Sequence, residues 1–262
     1  MPNTRAGMRF LSALSLLTLA LALAGCLHDD ETTTVTVRET VTETATSSVP
    51  NEAPVLASLY FLQDGKVWPE QRGIVSGPNI ATLTIHQLLE GPMTDLTTAI
   101  PPQLRLGSLA IENGIASIEL APRLPNRQAV AQIVYTLTQF PTVRRVSLNG
   151  GSPVARRAFE AQTPPVLVES PLAGEEVESG FEAGGTANTF EATFQYELRD
   201  SSNRVIADNF VTATSGSGTR GTFRFTVPFE VGRPQQGRLV VFEISAEDGS
   251  RVNEVSIPLQ LR

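Results

Sequence analysis

Residues 126–141 read Asn-Arg-Gln-Ala-Val-Ala-Gln-Ile-Val-Tyr-Thr-Leu-Thr-Gln-Phe-Pro. Val130, Ile133, Val134 and Leu137 recur at helical spacing, so the spacing predicts a helix from about Asn126 with one apolar face. Pro141 ends it, because proline has no amide to continue the ladder. Such a helix needs a sheet to bury its face, and the flanking segments supply strands. Val55-Leu56-Ala57-Ser58-Leu59-Tyr60-Phe61-Leu62 is a continuous apolar run, as in a central strand. Asp64-Gly65 turns the chain, and Val67 to Val75 reads as a more exposed strand. A first helix follows Pro78, with Asn79 as its cap, Ala81, Ile85, Leu88 and Leu89 on one face, and Gly91-Pro92 as its stop. Leu104 to Leu120 reads as a hairpin about Asn113-Gly114, and Val143 to Leu148 as a last strand. Residues 54–150 therefore predict the order β-β-α-β-β-α-β, an α+β layer of helices on a sheet.

After a linker at 151–164 the period changes to two. Phe190, Ala192, Phe194, Tyr196 and Leu198 alternate with Glu191, Thr193, Gln195 and Glu197. Phe223, Phe225 and Val227 alternate likewise, as do Val255, Ile257 and Leu259. About seven short strands with turn signals between them predict an all-β sandwich over 165–262.

The amino-terminal 53 residues read differently. Arg5 and Arg9 precede an apolar segment from Phe10 to Leu23, too short to span a bilayer and of the length of a signal peptide. Leu23-Ala24-Gly25-Cys26 closes it and resembles the lipobox of bacterial lipoproteins. The resemblance implies a signal peptide at 1–25, two small residues admitting the peptidase, and a Cys26 thiol that accepts a diacylglyceryl group. Two acyl chains anchor stably where one does not. Residues 26–53 read as a solvated tether: from His28 to about Ala53 they are rich in Thr, Glu and Val, with no large apolar residue beyond Val. The expected location is outside the cytoplasm, on the cell membrane.

Composition narrows the function. The formal charge is −7, which disfavours nucleic acid and anionic headgroups, so attachment falls to the lipid on Cys26. Cys26 is the single cysteine, so no disulfide closes within the chain. Lys66 is the single lysine, and Gln63 stands where a Ser-x-x-Lys acyl-enzyme needs its serine. His28 and His86 are too few for a zinc site, and no cofactor is expected. Gly216 to Gly221 satisfies G-x-G-x-x-G, but strands on both sides make it a hairpin loop and not a dinucleotide site. Asp64, Glu70, Glu112 and Glu119 are the carboxylates a glycoside hydrolase would draw on; solvated surface charge is the plainer reading. Arg144-Arg145 and Arg156-Arg157 bracket the linker and read as surface ion pairs, with contact to an acidic partner or wall polymer as the alternative.

Two family resemblances cover the globular region. Leu59-Tyr60-Phe61, Leu88-Leu89-Glu90-Gly91-Pro92, Ile100-Pro101, the Asn113-Gly114 hairpin and Ile133 to Pro141 resemble the GerMN domain of spore-germination and sporulation lipoproteins. Ser170-Pro171, Gly185-Thr186-Ala187, Phe190-Glu191-Ala192, Gly221-Thr222-Phe223 and Glu247 to Ser250 resemble the immunoglobulin-like domain of bacterial spore germination. These resemblances imply a non-enzymatic lipoprotein that assembles or stabilises a cell-envelope complex by protein contacts, including self-association, in a fold similar to ring-forming modules of secretion machines. They bring no catalytic residues. The alternatives are a binder of wall glycan or peptide and, further off, a wall hydrolase.

Overall fold

The computed structural model describes residues 54–262; the expectations resting on Leu23, Ala24, Gly25, Cys26 and the tether lie outside these residues. β1 (Val55–Gln63) and β2 (Lys66–Ile74) form an antiparallel hairpin turned by Asp64 and Gly65. Then come α1 (Ile80–Leu89), β3 (Arg105–Glu112), β4 (Ile115–Ala121), α2 (Arg127–Leu137) and β5 (Arg145–Leu148). Asn113 and Gly114 join β3 to β4 with φ of 51° and 82°, the two left-handed residues of a type I′ turn. β5 runs parallel to β4. Asn126 caps α2 by accepting from Ala129 N at 2.9 Å, whereas Asn79 holds the cap position of α1 without a side-chain bond.

The sequence suggests helices on one sheet, but the strands divide into β1-β2 and β3-β4-β5. The reason lies on the second edge of β1, where α2 takes the place of a strand. Gln139 Nε2 donates to Ser58 O and its Oε1 accepts from Ser58 N, both at 2.7 Å. Thr136 Oγ1 accepts from Tyr60 N and Gln132 Nε2 donates to Tyr60 O, both at 3.0 Å. Beyond them, Leu62 exchanges two backbone bonds with Thr97, and Gln132 Oε1 takes Ala99 N at 2.9 Å. Residues 132 and 136 share one face of α2 and 139 follows in the turn that ends it, so three polar side chains reproduce a strand's donors and acceptors. Consequently α2 is buried well beyond its apolar stripe, from Ala131 through Leu137.

β2 is less exposed than its sequence suggests, with Val67, Glu70, Arg72 and Ile74 all buried. Glu70 receives Arg72 Nη2 at 2.7 Å, Thr94 Oγ1 at 2.6 Å and the amides of Met93 and Thr94 at 3.1 Å. Arg72 donates onward to Gln87 O and Gly91 O, tying the end of α1 to β2. Burial alone pushes the Glu70 carboxyl upward; the bonds from Thr94, Arg72 and Met93 outweigh it and hold the carboxyl below the usual glutamate range.

The second module contains β6 (Val166–Ser170), β7 (Glu176–Val177), β8 (Phe181–Ala187), β9 (Thr193–Arg199), β10 (Val205–Thr212), β11 (Gly221–Val227), β12 (Gln235–Ile244) and β13 (Arg251–Leu261). The sheets β10-β9-β12-β13-β7 and β11-β8-β6 face each other. Phe194 meets Phe223 edge-on at 4.8 Å and Tyr196 stacks on Phe225 at 4.6 Å between them. The inward alternation starts at Phe194. Phe190 and Ala192 lie before it in a short 3₁₀ turn, where Phe190 is 65% exposed.

Gln132→Ala removes the partners of the buried Tyr60 O and the half-buried Ala99 N, at a cost of about 1–3 kcal/mol for the orphaned carbonyl. A urea midpoint equal to that of the unaltered protein contradicts the strand-mimic role. Because the Glu70 carboxyl titrates lower folded than unfolded, its stabilisation is complete above the unfolded value of ~4.3. That stabilisation disappears as pH falls through the folded value. Glu70→Gln is expected to be less stable at neutral pH and to lose less on acidification, read from unfolding curves at stepped pH.

Candidate functional site

A half-buried polar cluster lies where the two modules meet. β1 contributes Tyr60, α2 Tyr135, β6 Glu169, and a 3₁₀ helix at Arg156–Gln162 contributes Arg156. The guanidinium of Arg156 lies 5.2 Å from the Tyr60 ring and 4.6 Å from the Tyr135 ring. Its Nη1 pairs with Glu169 Oε1 at 2.6 Å, its Nε donates to Thr138 Oγ1 at 2.7 Å, and its Nη2 donates to Tyr135 O at 3.1 Å. The Tyr60 hydroxyl donates to the same Glu169 oxygen. Tyr135 closes the cluster through Thr163 Oγ1 at 2.6 Å, whose own proton goes to Phe159 O. Leu167 of β6, fully buried, packs into the core of the first module.

A second contact uses Arg220 and Glu160. Arg220 Nη2 meets Glu160 Oε1 at 2.8 Å and Pro164 O at 2.7 Å, while Asn188 Nδ2 reaches Glu160 at 3.0 Å. Lys66 Nζ donates to Ala161 O at 2.8 Å, and Gln71 Nε2 donates to Glu175 Oε1 at 3.0 Å. Residues 151–164, expected as a linker, are therefore a packed wedge with Phe159 buried. Arg156, expected on the surface, is the hub of the joint, and the described residues, 54–262, fall in one compact unit.

The charges at the joint are fixed. Burial pushes the Tyr60 phenol well up, and the Glu169 charge adds to this more than Arg156 subtracts, so the hydroxyl stays a neutral donor. Burial works against the Arg156 cation, but Tyr60 and Glu169 more than offset it. Burial likewise opposes the Glu160 anion, and bonds from Arg220 and Asn188 bring its carboxyl down. Tyr60 as a neutral donor, Arg156 as a cation and Glu160 as an anion each suit the partners they bond, which makes the joint a latch.

The other sequence candidates scatter. His86 is exposed on α1, Asp64 occupies the β1–β2 turn, Glu112 and Glu119 are exposed on the β3–β4 hairpin, and Glu70 is the buried anchor described above. Arg144 Nη2 donates to Asn113 O at 3.1 Å and supports its turn; Arg145 and Arg157 are exposed. The G-x-G-x-x-G stretch joins β10 to β11, and its Arg220 serves the joint. Its glycines answer to close packing: a Cβ on Gly216 stands 2.4 Å from Ala192 N, and one on Gly221 stands 2.3 Å from Ser215 N. Among the described residues, no group of three or more His, Cys, Asp or Glu is gathered to hold a metal. No described helix is long and apolar enough to cross a membrane. Tyr60, Glu169 and Glu160 carried no sequence signal of their role.

Removing Arg156 leaves Glu169 half-shielded with one neutral donor. Arg156→Ala is expected to lower stability by about 1–3 kcal/mol and to speed tryptic or chymotryptic nicking within residues 151–164. Arg156→Lys keeps the charge without the planar fork and recovers part of the loss. Unchanged nicking in Arg156→Ala rules out the latch.

Residues 58–152 match the family model for sporulation and spore germination, and residues 165–250 match that for the immunoglobulin-like domain of bacterial spore germination. Among solved structures, the chain is similar to the tandem GerMN domains of the sporulation protein GerM from Bacillus subtilis, at 24% identity over 40% of this chain and 45% of that one, with a TM-score of 0.33. It thus spans less than half the length of that tandem structure. It is also similar to the first GerMN domain of GerM (21% identity, 39% and 95% covered, TM-score 0.30). A putative lipoprotein from Clostridium perfringens is similar as well (20% identity, 40% and 89% covered, TM-score 0.27). No curated protein matches. The chain is a GerMN-domain protein of the sporulation and spore-germination type, carrying a C-terminal immunoglobulin-like domain of bacterial spore germination.

Proposed function

We propose that this chain is a lipid-anchored, non-enzymatic envelope protein that assembles or stabilises a complex of the sporulation and germination type. The observation that carries this reading is the joint. Two germination-type modules are locked side by side through Arg156, Glu169 and Tyr60, and through Arg220 and Glu160. An enzyme with a cleft between domains draws on their relative motion; a scaffold gains from their being fixed. Cys26 supplies the anchor, and its partners are other envelope proteins, copies of the same chain among them.

The wall-hydrolase alternative requires two carboxylates on either side of one glycosidic bond. Glu70 is committed to Arg72, Thr94 and Met93, while Asp64, Glu112 and Glu119 sit on two separate hairpins. The glycan-binding alternative calls for exposed rings in a groove. The groove beside α2 is lined by aliphatic residues with Asn126, Arg127 and Ser152 among them, and its one aromatic ring, Phe159, is itself buried.

Labelled fatty acid is expected to enter the unaltered protein and not Cys26→Ala, which leaves the membrane fraction; equal labelling of the two overturns the anchor. Crosslinking in intact cells is expected to recover envelope proteins. Release of muropeptides from purified wall by the protein ends the non-enzymatic reading.

A further inference from the structure

The two modules carry opposite charge. Residues 54–164 hold nine basic and seven acidic side chains, whereas residues 165–262 hold eight basic and fourteen acidic ones. On the basic module, an apolar groove of about 330 Å³ opens beside the start of α2, over Leu124, Val130, Leu148, Val154 and Phe159. A cavity of about 170 Å³ continues it past Leu120. Arg127 and Arg123 stand exposed at the two mouths, and no acidic residue lines either. The positive end of the α2 dipole adds to the same field.

The acidic module presents a shape that fits. Phe190 is 65% exposed and contributes nothing to the core of its own sandwich. The next two residues, Glu191 and Ala192, take φ of 52° and 59°, a left-handed conformation that side chains other than glycine's resist. Bonds hold them there: Ala192 N and Ser217 N both donate to Thr189 O, Glu191 N to Ser217 Oγ, and Phe190 N to Glu243 Oε2. Gly216 is tight beneath the turn, with no room for a side chain. A strained turn braced on several sides, holding an aromatic ring in water between two acids, has the form of a docking anchor.

We propose that Phe190 of one copy seats in the groove of a second copy, with Glu191 and Glu243 facing Arg123 and Arg127. This names one partner within the assembly role proposed above and rests on it. Charge selects the occupant: the acid-flanked ring and the arginine-flanked groove are complementary, and one chain carries both. Size agrees, because the groove is at the lower end of the ~300–1,000 Å³ of ligand sites and suits one aromatic anchor. The locked joint leaves Phe190 in solvent, so a chain does not fill its own groove.

Disulfide trapping in cells tests this with two differently tagged full-length copies, Phe190→Cys in one and Val154→Cys in the other. Under mild oxidant a dimer bearing both tags is expected. Pairing Phe190→Cys with Arg224→Cys, on exposed β11, should give little. Adding Arg123→Glu to the groove copy should cut the yield several-fold, and Glu191→Arg on the knob copy should restore it. Equal trapping at positions 154 and 224, or no mixed dimer while both copies accumulate normally, overturns the docking. Neither result touches the recovery of other envelope proteins by crosslinking, so the assembly role fails or stands separately.

Discussion

Every buried amide and carbonyl has to find a partner, and in this protein that requirement is hardest to meet along β1. One edge of the strand pairs with β2, and the other turns toward α2, buried at Tyr60 and half-buried at Ser58. Gln132, Thr136 and Gln139 meet it with side chains, and in doing so they fix the height and rotation of α2 against the strand. The consequences spread outward. Tyr135, between two of these anchors, is held against Arg156, and Tyr60, bonded through its own backbone to Gln132 and Thr136, points its hydroxyl at Glu169. The position of the second module thus descends from the pairing of a strand edge in the first.

What joins the modules is modest in energy and demanding in geometry. Arg156 and Glu169 keep about a quarter of their side-chain surface in solvent, so their attraction is partly screened. Misplacing either, however, strands a charge beside two tyrosine rings.

The sequence was most readable where one period or one dipeptide decides. The stripe from Val130 to Leu137, the Asn113-Gly114 turn and the alternation from Phe194 onward each depend on residues close in sequence. Reading failed where partners are distant. Gln132 and Thr136 look like the polar side of an amphipathic helix, and nothing nearby shows that they face β1. Arg156 reads as ordinary surface charge and Glu160 draws no reading at all, because their partners at 169, 188 and 220 become neighbours only after folding. Phe190 misled in the opposite direction: its phase matches the strand that follows, but two left-handed residues intervene and turn it outward. The glycine-rich stretch made the same point, its small residues serving backbone contact and not phosphate.

The grip on β1 has a mechanical side. A pull entering the described residues at Pro54 runs along this strand, across nine residue pairs with β2, the side-chain bonds from α2 and the bridge to Thr97. A load directed along the strand axis meets those bonds together, in shear, and does not peel them one link at a time. Resistance to force follows the rate of rupture and not the equilibrium balance. A strand clamped on both edges at the point of entry therefore lets tension from the amino end pass into both modules before either begins to unravel.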